Sequence, residues 1–378
     1  MVNRRRVLRL IGGGTVVAAM ASGVGCTAGD SASSAREPWR RAGQYDEIRT
    51  RALSYALLAP SPHNRQPWLA RLDGSDALTL HVDLDRRLPA TDPHDRQVTI
   101  GFGAFLELMS IAAAEEGYRA LIAAFPEGED MRSLDHRPVA QVRFVAGGAN
   151  RDPLFEQILS RRSNKEIYEK RDIPEAELAS LAEAGRVHGA TSATIGNTAL
   201  AASLRDLTFR AHLKEVLTPA ANRESVDLMR IGAKEVAANP DGISLEGAMI
   251  EVGHRLGFVT REALADPDSR AFKQGVDLYR KMTMSARAFG WISNANQTRL
   301  DQLNAGRAYV RMNLQATALG LGIHPWSQAL QEYPEMRELN DEVQRLIGRG
   351  ERLQMLYRIG YAKEVEPAPR RGLRAHLA

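Results

Sequence analysis

Two stretches of this chain repeat one another at a constant offset of 203 positions. GAFLELMSIAAAEEG at residues 103–117 aligns without a gap on GRAYVRMNLQATALG at 306–320. Gly103/Gly306, Met109/Met312, Ile111/Leu314, Ala113/Ala316 and Gly117/Gly320 fall in register. Small residues let helices approach closely, so the repeat predicts one long core helix used twice. Two unrelated Ala-rich helices would give the same pattern taken alone.

The flanking sequence supplies a plan for the first half. Residues 46–58 place Ile48, Ala52, Tyr55 and Ala56 at helical spacing until Pro60 stops the run. LTLHVDL at 78–84 alternates apolar and polar residues, as a half-buried strand does, and VAQVRFV at 139–145 reads as a second strand. The 103–117 helix ends at a glycine suited to a left-handed cap. Between the repeated helices lies a polar excursion, residues 218–290, with turn signals at NPDGI (239–243) and DPDSRAF (266–272) and helical patches such as Ser225–Val236. The first half has no counterpart to it, which makes it a candidate lid.

The N-terminus reads as an address label. Arg4, Arg5 and Arg6 precede a short, Gly-rich, mildly apolar stretch, too weak for a spanning helix, which predicts a twin-arginine export signal over residues 1–25; a disordered basic tail is the alternative. Cys26, the only cysteine, follows at a position suited to lipid attachment, although Gly23 stands where such sites usually carry Leu. A single cysteine excludes intrachain disulfides and CxxC redox pairs. Residues 26–44 read as a tether. The chain carries 50 basic and 46 acidic residues, and loss of Arg4, Arg5, Arg6 and Arg9 with the signal balances the two signs. Nucleic-acid binding thereby loses its main support. The expected location is the periplasm or cell envelope, by way of the twin-arginine export machinery and with a possible lipid anchor at the membrane surface.

Two segments carry chemistry. RRSNK at 161–165 gathers Arg161, Arg162, Ser163 and Lys165, a set that suits a phosphate because guanidinium groups pair with it bidentately. Alone it could be a solvated basic helix end. APSPHNRQPW at 59–68 stiffens a loop with prolines and sets out Ser61, His63, Asn64 and Gln66 as hydrogen-bonding groups. Together the two segments resemble the signatures of the nitroreductase-like FMN family, in its tandem Acg-type branch.

The resemblance implies an α+β fold of two nitroreductase-like modules, 45–150 and 151–378, forming a pseudo-dimer within one chain and carrying the 218–290 lid. It implies FMN between the modules. Pro60, Ser61, His63, Asn64 and Gln66 would come from the first, and Arg161, Arg162, Ser163 and Lys165 from the second. Arg370 and Arg371 of the basic tail would close on the phosphate. Pro325, Trp326, Ser327 and Gln328 stand where the family places a backbone donor to the flavin, often in a Pro-x-Glu-Gly turn, and the acidic side chain is missing here. The loop and the RRS arm each occur once, because Ala42 in WRRAGQYDE lacks the hydroxyl, so one FMN per monomeric chain is expected.

No catalytic side chain is assigned, since the flavin carries the chemistry. The leading function is an oxidoreductase passing hydride or electrons to a small organic acceptor; the alternative is a flavin-sequestering protein with little turnover. Leu106 spoils the Gly101–Gly103 dinucleotide pattern. DPHD at 92–95 reads as a capping turn rather than a metal cluster.

Overall fold

The structure, a computed structural model, describes residues 34–378. The basic leader, Cys26 and the start of the expected tether lie outside the described residues. From residue 34 onward the tether expectation needs correcting. Glu37–Arg41 forms a short helix, α1, with proline in its first turn, and its Trp39 is buried. A tryptophan is costly to leave in water, and this one has found a core.

The first half continues with α2 (Ile48–Ala56), β1 (Trp68–Asp73), β2 (Ala77–Val82), α3 (Arg96–Glu115), β3 (Tyr118–Ala124) and β4 (Ala140–Ala146). Its four strands pair antiparallel in the order β1-β2-β4-β3. The second half opens with α4 (Glu175–Ala184) and β5 (Thr191–Ile195). An insertion follows: α5 (Ala199–Leu217), α6 (Pro219–Asp227), β6 (Met229–Ile231), α7 (Gly232–Ala238), β7 (Ile243–Leu245), α8 (Ala248–Arg255), α9 (Arg261–Ala265) and α10 (Arg270–Met284). Then come β8 (Ala288–Asn294), α11 (Arg299–Ala318), β9 (Gly322–Pro325), α12 (Arg337–Ile347) and β10 (Arg352–Gly360). The second sheet is again antiparallel, in the order β5-β8-β10-β9.

The two sheets share one topology, with a long helix between the second and third strands of each. The insertion occupies the place of the tight β1–β2 hairpin. It begins at α5 and ends before β8, so the 218–290 limits read from sequence were displaced at both ends. Strands β1 and β3 also went unread, and both long helices start earlier than their glycines suggested.

The repeated helices are the centre of the molecule. A methyl group on Gly103 would lie 1.9 Å from the Leu303 carbonyl oxygen, and one on Gly306 would lie 1.8 Å from that of Ile100. Residues 100 and 103 thus meet 303 and 306 reciprocally, at the same offset as the sequence repeat. That reciprocity is the mark of a two-fold contact, here within one chain. Each helix also serves the other half: Leu303, Val310 and Leu314 enter the first core, while Ile100 enters the second. Helix α3 is apolar and long enough to cross a membrane by composition, but it is the buried centre of the fold.

The chain end returns to the first sheet. Leu377 bridges Ala70, the Ala378 amide donates to the Ala70 carbonyl, and His376 Nδ1 lies 2.9 Å from the Trp68 carbonyl oxygen. Residues 361–378 therefore belong in space to both halves.

Candidate functional site

The PSPHNRQPW loop is held in an unusual backbone conformation. His63, Asn64 and Gln66 all have positive φ, at 47°, 52° and 50°. Non-glycine residues rarely adopt that region, and clusters of them collect at functional sites. The Gln66 amide donates to Ser61 Oγ and the Asn64 amide to the Ser61 carbonyl, so Ser61 organises the turn. Pro60 and Ser61 pack against Gly101 near the start of α3. Trp68 is fully buried against Phe102 and Phe105.

The RRSNK arm and the basic tail converge on this loop around Trp39. The guanidinium carbons of Arg161, Arg162 and Arg370 lie 5.8, 4.8 and 5.4 Å from its ring centroid. Among the described residues, no carboxylate forms an ion pair with any of the three. Arg370 donates to the carbonyls of Leu57, Leu58 and Ala59, just past α2, where the helix dipole favours a cation. Arg162 bonds the carbonyls of Leu159, Arg161 and Val365. Arg161 donates once, to Leu58 at 2.9 Å, while its buried Nε and Nη1 find no partner. Burial and the neighbouring charge of Arg162 hold Arg161 down to about 10; burial, Arg161 and Arg162 hold Arg370 down to about 9. Arg162 is half-buried and feels Glu364 and Glu366, but Arg161 and Arg370 are buried charges of one sign without an acid beside them, which favours an anion there.

Lys165 is exposed, and desolvation by the protein around it pushes its ammonium below the ordinary lysine value. Its charge reaches two histidines. His63 is lowered to about 4 by burial, Lys165 and Arg65, and His324 is lowered well below its usual value by burial, Arg358 and Lys165. Ser163 reaches the phenol of Tyr309, whose pKa is raised chiefly by burial.

Not every residue singled out from sequence is free to meet a ligand. Gln66 is fully buried; its amide donates to the Asn64 and Pro240 carbonyls and its oxygen accepts from Arg371. Asn64 joins Arg370 and the Pro369 carbonyl. Both fasten the loop to the tail and the insertion; both Nε2 hydrogens of Gln66 are spent, and Asn64 Nδ2 gives one of its two to Pro369. Arg371 extends to the Ala375 carbonyl and lies 4.0 Å from Asp83. In the turn after β9, Pro325 has no N–H, the Trp326 amide donates to Leu356, and Ser327 Oγ is tied to the Leu356 backbone. Gln328 donates to the Tyr279 hydroxyl at 2.8 Å. The Asp92 carboxylate caps α3 by accepting from the Gln97 and Val98 amides.

The insertion covers the loop and contributes an aromatic wall. Tyr279 of α10 stacks on His212 of α5 at 3.5 Å and on Trp326 at 4.5 Å. His63 Nε2 lies 2.9 Å from Ser225 Oγ, and the Gly242 amide donates to the Asn64 carbonyl. Asp241, in the NPDGI turn, pairs with Arg86 at 2.6 Å, Arg230 at 2.8 Å and Arg65 at 3.9 Å. Sequence reasoning missed Trp39, Tyr279, His324, Arg358 and Asp241. Only Trp39, a lone indole in a polar stretch, carried a signal.

Glu215, buried beside Gln331 and Tyr333, is raised from 4.5 to about 7 by burial, against the pull of its glutamine hydrogen bonds. Its folded value exceeds the unfolded one, so the folded state binds the extra proton. Stability from this group therefore falls as pH rises from about 4.5 through about 7 and is level above. Glu215→Gln should match the parent at pH 4 and be more stable at pH 8, by at most on the order of 3 kcal/mol. Urea midpoints at the two pH values check this.

No family model matches the chain. Two Mycobacterium tuberculosis H37Rv proteins align along most of it. "Putative NAD(P)H nitroreductase Rv3131" is 26% identical over 339 residues, 87% of this chain and 90% of its own length. "Putative NAD(P)H nitroreductase acg" is 27% identical over 324 residues, 84% and 90% of the two lengths. The chain is similar to both along most of its length. Among solved structures, the FMN-dependent nitroreductase NfnB from Mycobacterium smegmatis, in complex with NADPH, covers 59% of this chain and 96% of its own at 18% identity and a TM-score of 0.37. That overlap is too loose to transfer any contact.

Proposed function

We propose that this protein is an FMN-dependent oxidoreductase of nitroreductase type, exported by the twin-arginine route, that passes hydride or electrons to a small organic acceptor. The observation that carries the reading is the cationic cluster of Arg161, Arg162 and Arg370: two buried Arg161 nitrogens are unbonded, and the glutamates nearby, Glu364 and Glu366, act on Arg162 rather than on the buried Arg161 and Arg370. Those residues fit a phosphate group. Arg161 and Ser163 would hold the phosphate end, and Lys165 would face the pyrimidine edge. After β9 the Trp326 amide is taken by Leu356, so the Ser327 or Gln328 amide would supply the donor to the reactive nitrogen. Bound FMN supplies the electron transfer itself, and the chain's part is to bind, orient and cover it. Purification with added FMN, followed by release and identification of the cofactor, tests the reading. A colourless protein that retains no flavin ends it.

One observation favours a second reading, a flavin-holding protein with little turnover. The insertion is fastened over the loop by Asp241, which pairs with Arg86 and Arg65 of the first half and with Arg230 of the insertion itself, and Tyr279 stacks on Trp326. Asp241→Ala leaves those guanidiniums repelling one another and should release the insertion. The expected result is flavin still bound but reduced at least several-fold faster by dithionite in stopped flow. Unchanged kinetics would remove the lid from the account.

A further inference from the structure

Against His324 lies a second cation that no sequence signature marks. Arg358 of β10 is fully buried, and its guanidinium sits between the rings of Tyr168 and Trp326, at 4.0 and 4.8 Å from their centroids. It donates to the carbonyls of Glu166 at 2.9 Å, Met282 at 3.2 Å and Asn164 at 3.3 Å, while its Nε has no partner. Among the described residues no carboxylate pairs with it. An apolar side chain would fill this space without the cost of burying an unpaired charge, so packing alone does not account for an arginine here.

Its remaining contact sets the state of a histidine. Arg358 Nη2 lies 3.3 Å from His324 Nδ1. A guanidinium only donates, so Nδ1 must accept, and the imidazole proton resides on Nε2. Burial, followed by the positive charges of Arg358 and Lys165, keeps the ring neutral. The result is a fixed N–H donor beside the Lys165 ammonium, backed by a permanent charge.

Resting on the FMN reading above, we infer that Arg358 is a positioning residue that orients His324 as an Nε2–H donor. With Lys165, it makes the site hold FMN more tightly in the reduced, more negative state. Positive charge and donors at the electron-rich edge of a flavin raise its reduction potential. This role differs from phosphate anchoring, because it acts on the ratio of affinities for the two redox states and leaves retention of oxidised FMN nearly unchanged.

Arg358→Met in the full mature chain tests it, with flavin content, midpoint potential by spectroelectrochemistry and the His324 tautomer by nitrogen NMR as readouts. The expected result is retained flavin, a loss of the fixed Nε2–H tautomer, and a fall in potential corresponding to at least a tenfold weaker preference for reduced FMN, about 30 mV for a two-electron couple. FMN bound with an unmoved potential overturns the inference and leaves the function standing. Parent protein that binds no FMN overturns both. Should Arg358→Met fail to fold, His324→Leu and His324→Gln replace it: Leu should lower the potential, and Gln, which can accept from Arg358 and still donate, should restore most of it. Equal potentials in those two variants count against the inference.

Discussion

Gly306→Ala, a change of one methyl group, should cost at least about 3 kcal/mol of stability, and Gly306→Val should prevent folding. The methyl carbon would stand 1.8 Å from the Ile100 carbonyl oxygen, an atom of another helix's backbone that no side-chain rotation can move aside. Helices α3 and α11 would have to separate, loosening both cores that they share. Gly103→Ala should behave alike, because its methyl would meet the Leu303 carbonyl oxygen at 1.9 Å. Gly275→Ala in α10 is the control: nothing lies within 4 Å, and relief of backbone entropy should make it neutral or stabilising by roughly 0.5–1 kcal/mol. Denaturant midpoints for the three alanine variants check the set. Equal stabilities would mean that the two-fold helix crossing is not the centre of the fold.

Arg161→Met should separate binding from stability. A guanidinium with two unbonded buried nitrogens and a depressed pKa is a cost to the cofactor-free chain, so replacing it with an apolar side chain should leave the melting temperature unchanged or higher. Flavin retention should fall roughly ten- to a hundredfold, the loss of a charge-assisted hydrogen bond contributing about 1.5–3 kcal/mol. Arg132→Ala, at a side chain 90% exposed, should change neither. Calorimetry and FMN titration on the same preparations read both quantities. A variant that loses stability while keeping its flavin would assign Arg161 to the scaffold.

Much of the architecture was legible because close packing leaves a sequence trace. Gly103 and Gly306 sit at equivalent positions of a repeat, and the same pair proves to be where the two helices touch. The site was legible as segments, since RRSNK and PSPHNRQPW each concentrate polar groups between structural elements. Which groups remain free was not legible. Gln66 and Asn64 look like exposed donors in sequence, but the returning tail and the NPDGI turn use them, and those partners come from positions 240, 369, 370 and 371. Arg358 and His324 were hidden for a related reason. They lie on neighbouring strands 34 positions apart, and only the register of β9 against β10 brings them together. The insertion was misplaced because α5 is rich in Ala and Leu, so the polar turns that mark the excursion begin only after it.

The central claim is that one composite site forms at the junction of two modules, with its symmetry partner lost. The loop Pro60–Gln66 and the arm Arg161–Lys165 each occur once, and the tail supplies Arg370 from the same chain. Native mass spectrometry of the mature protein, saturated with FMN and then freed of excess, measures the stoichiometry directly. The account predicts one FMN on a monomer. Two flavins per monomer, or flavin found only on dimers, would contradict it.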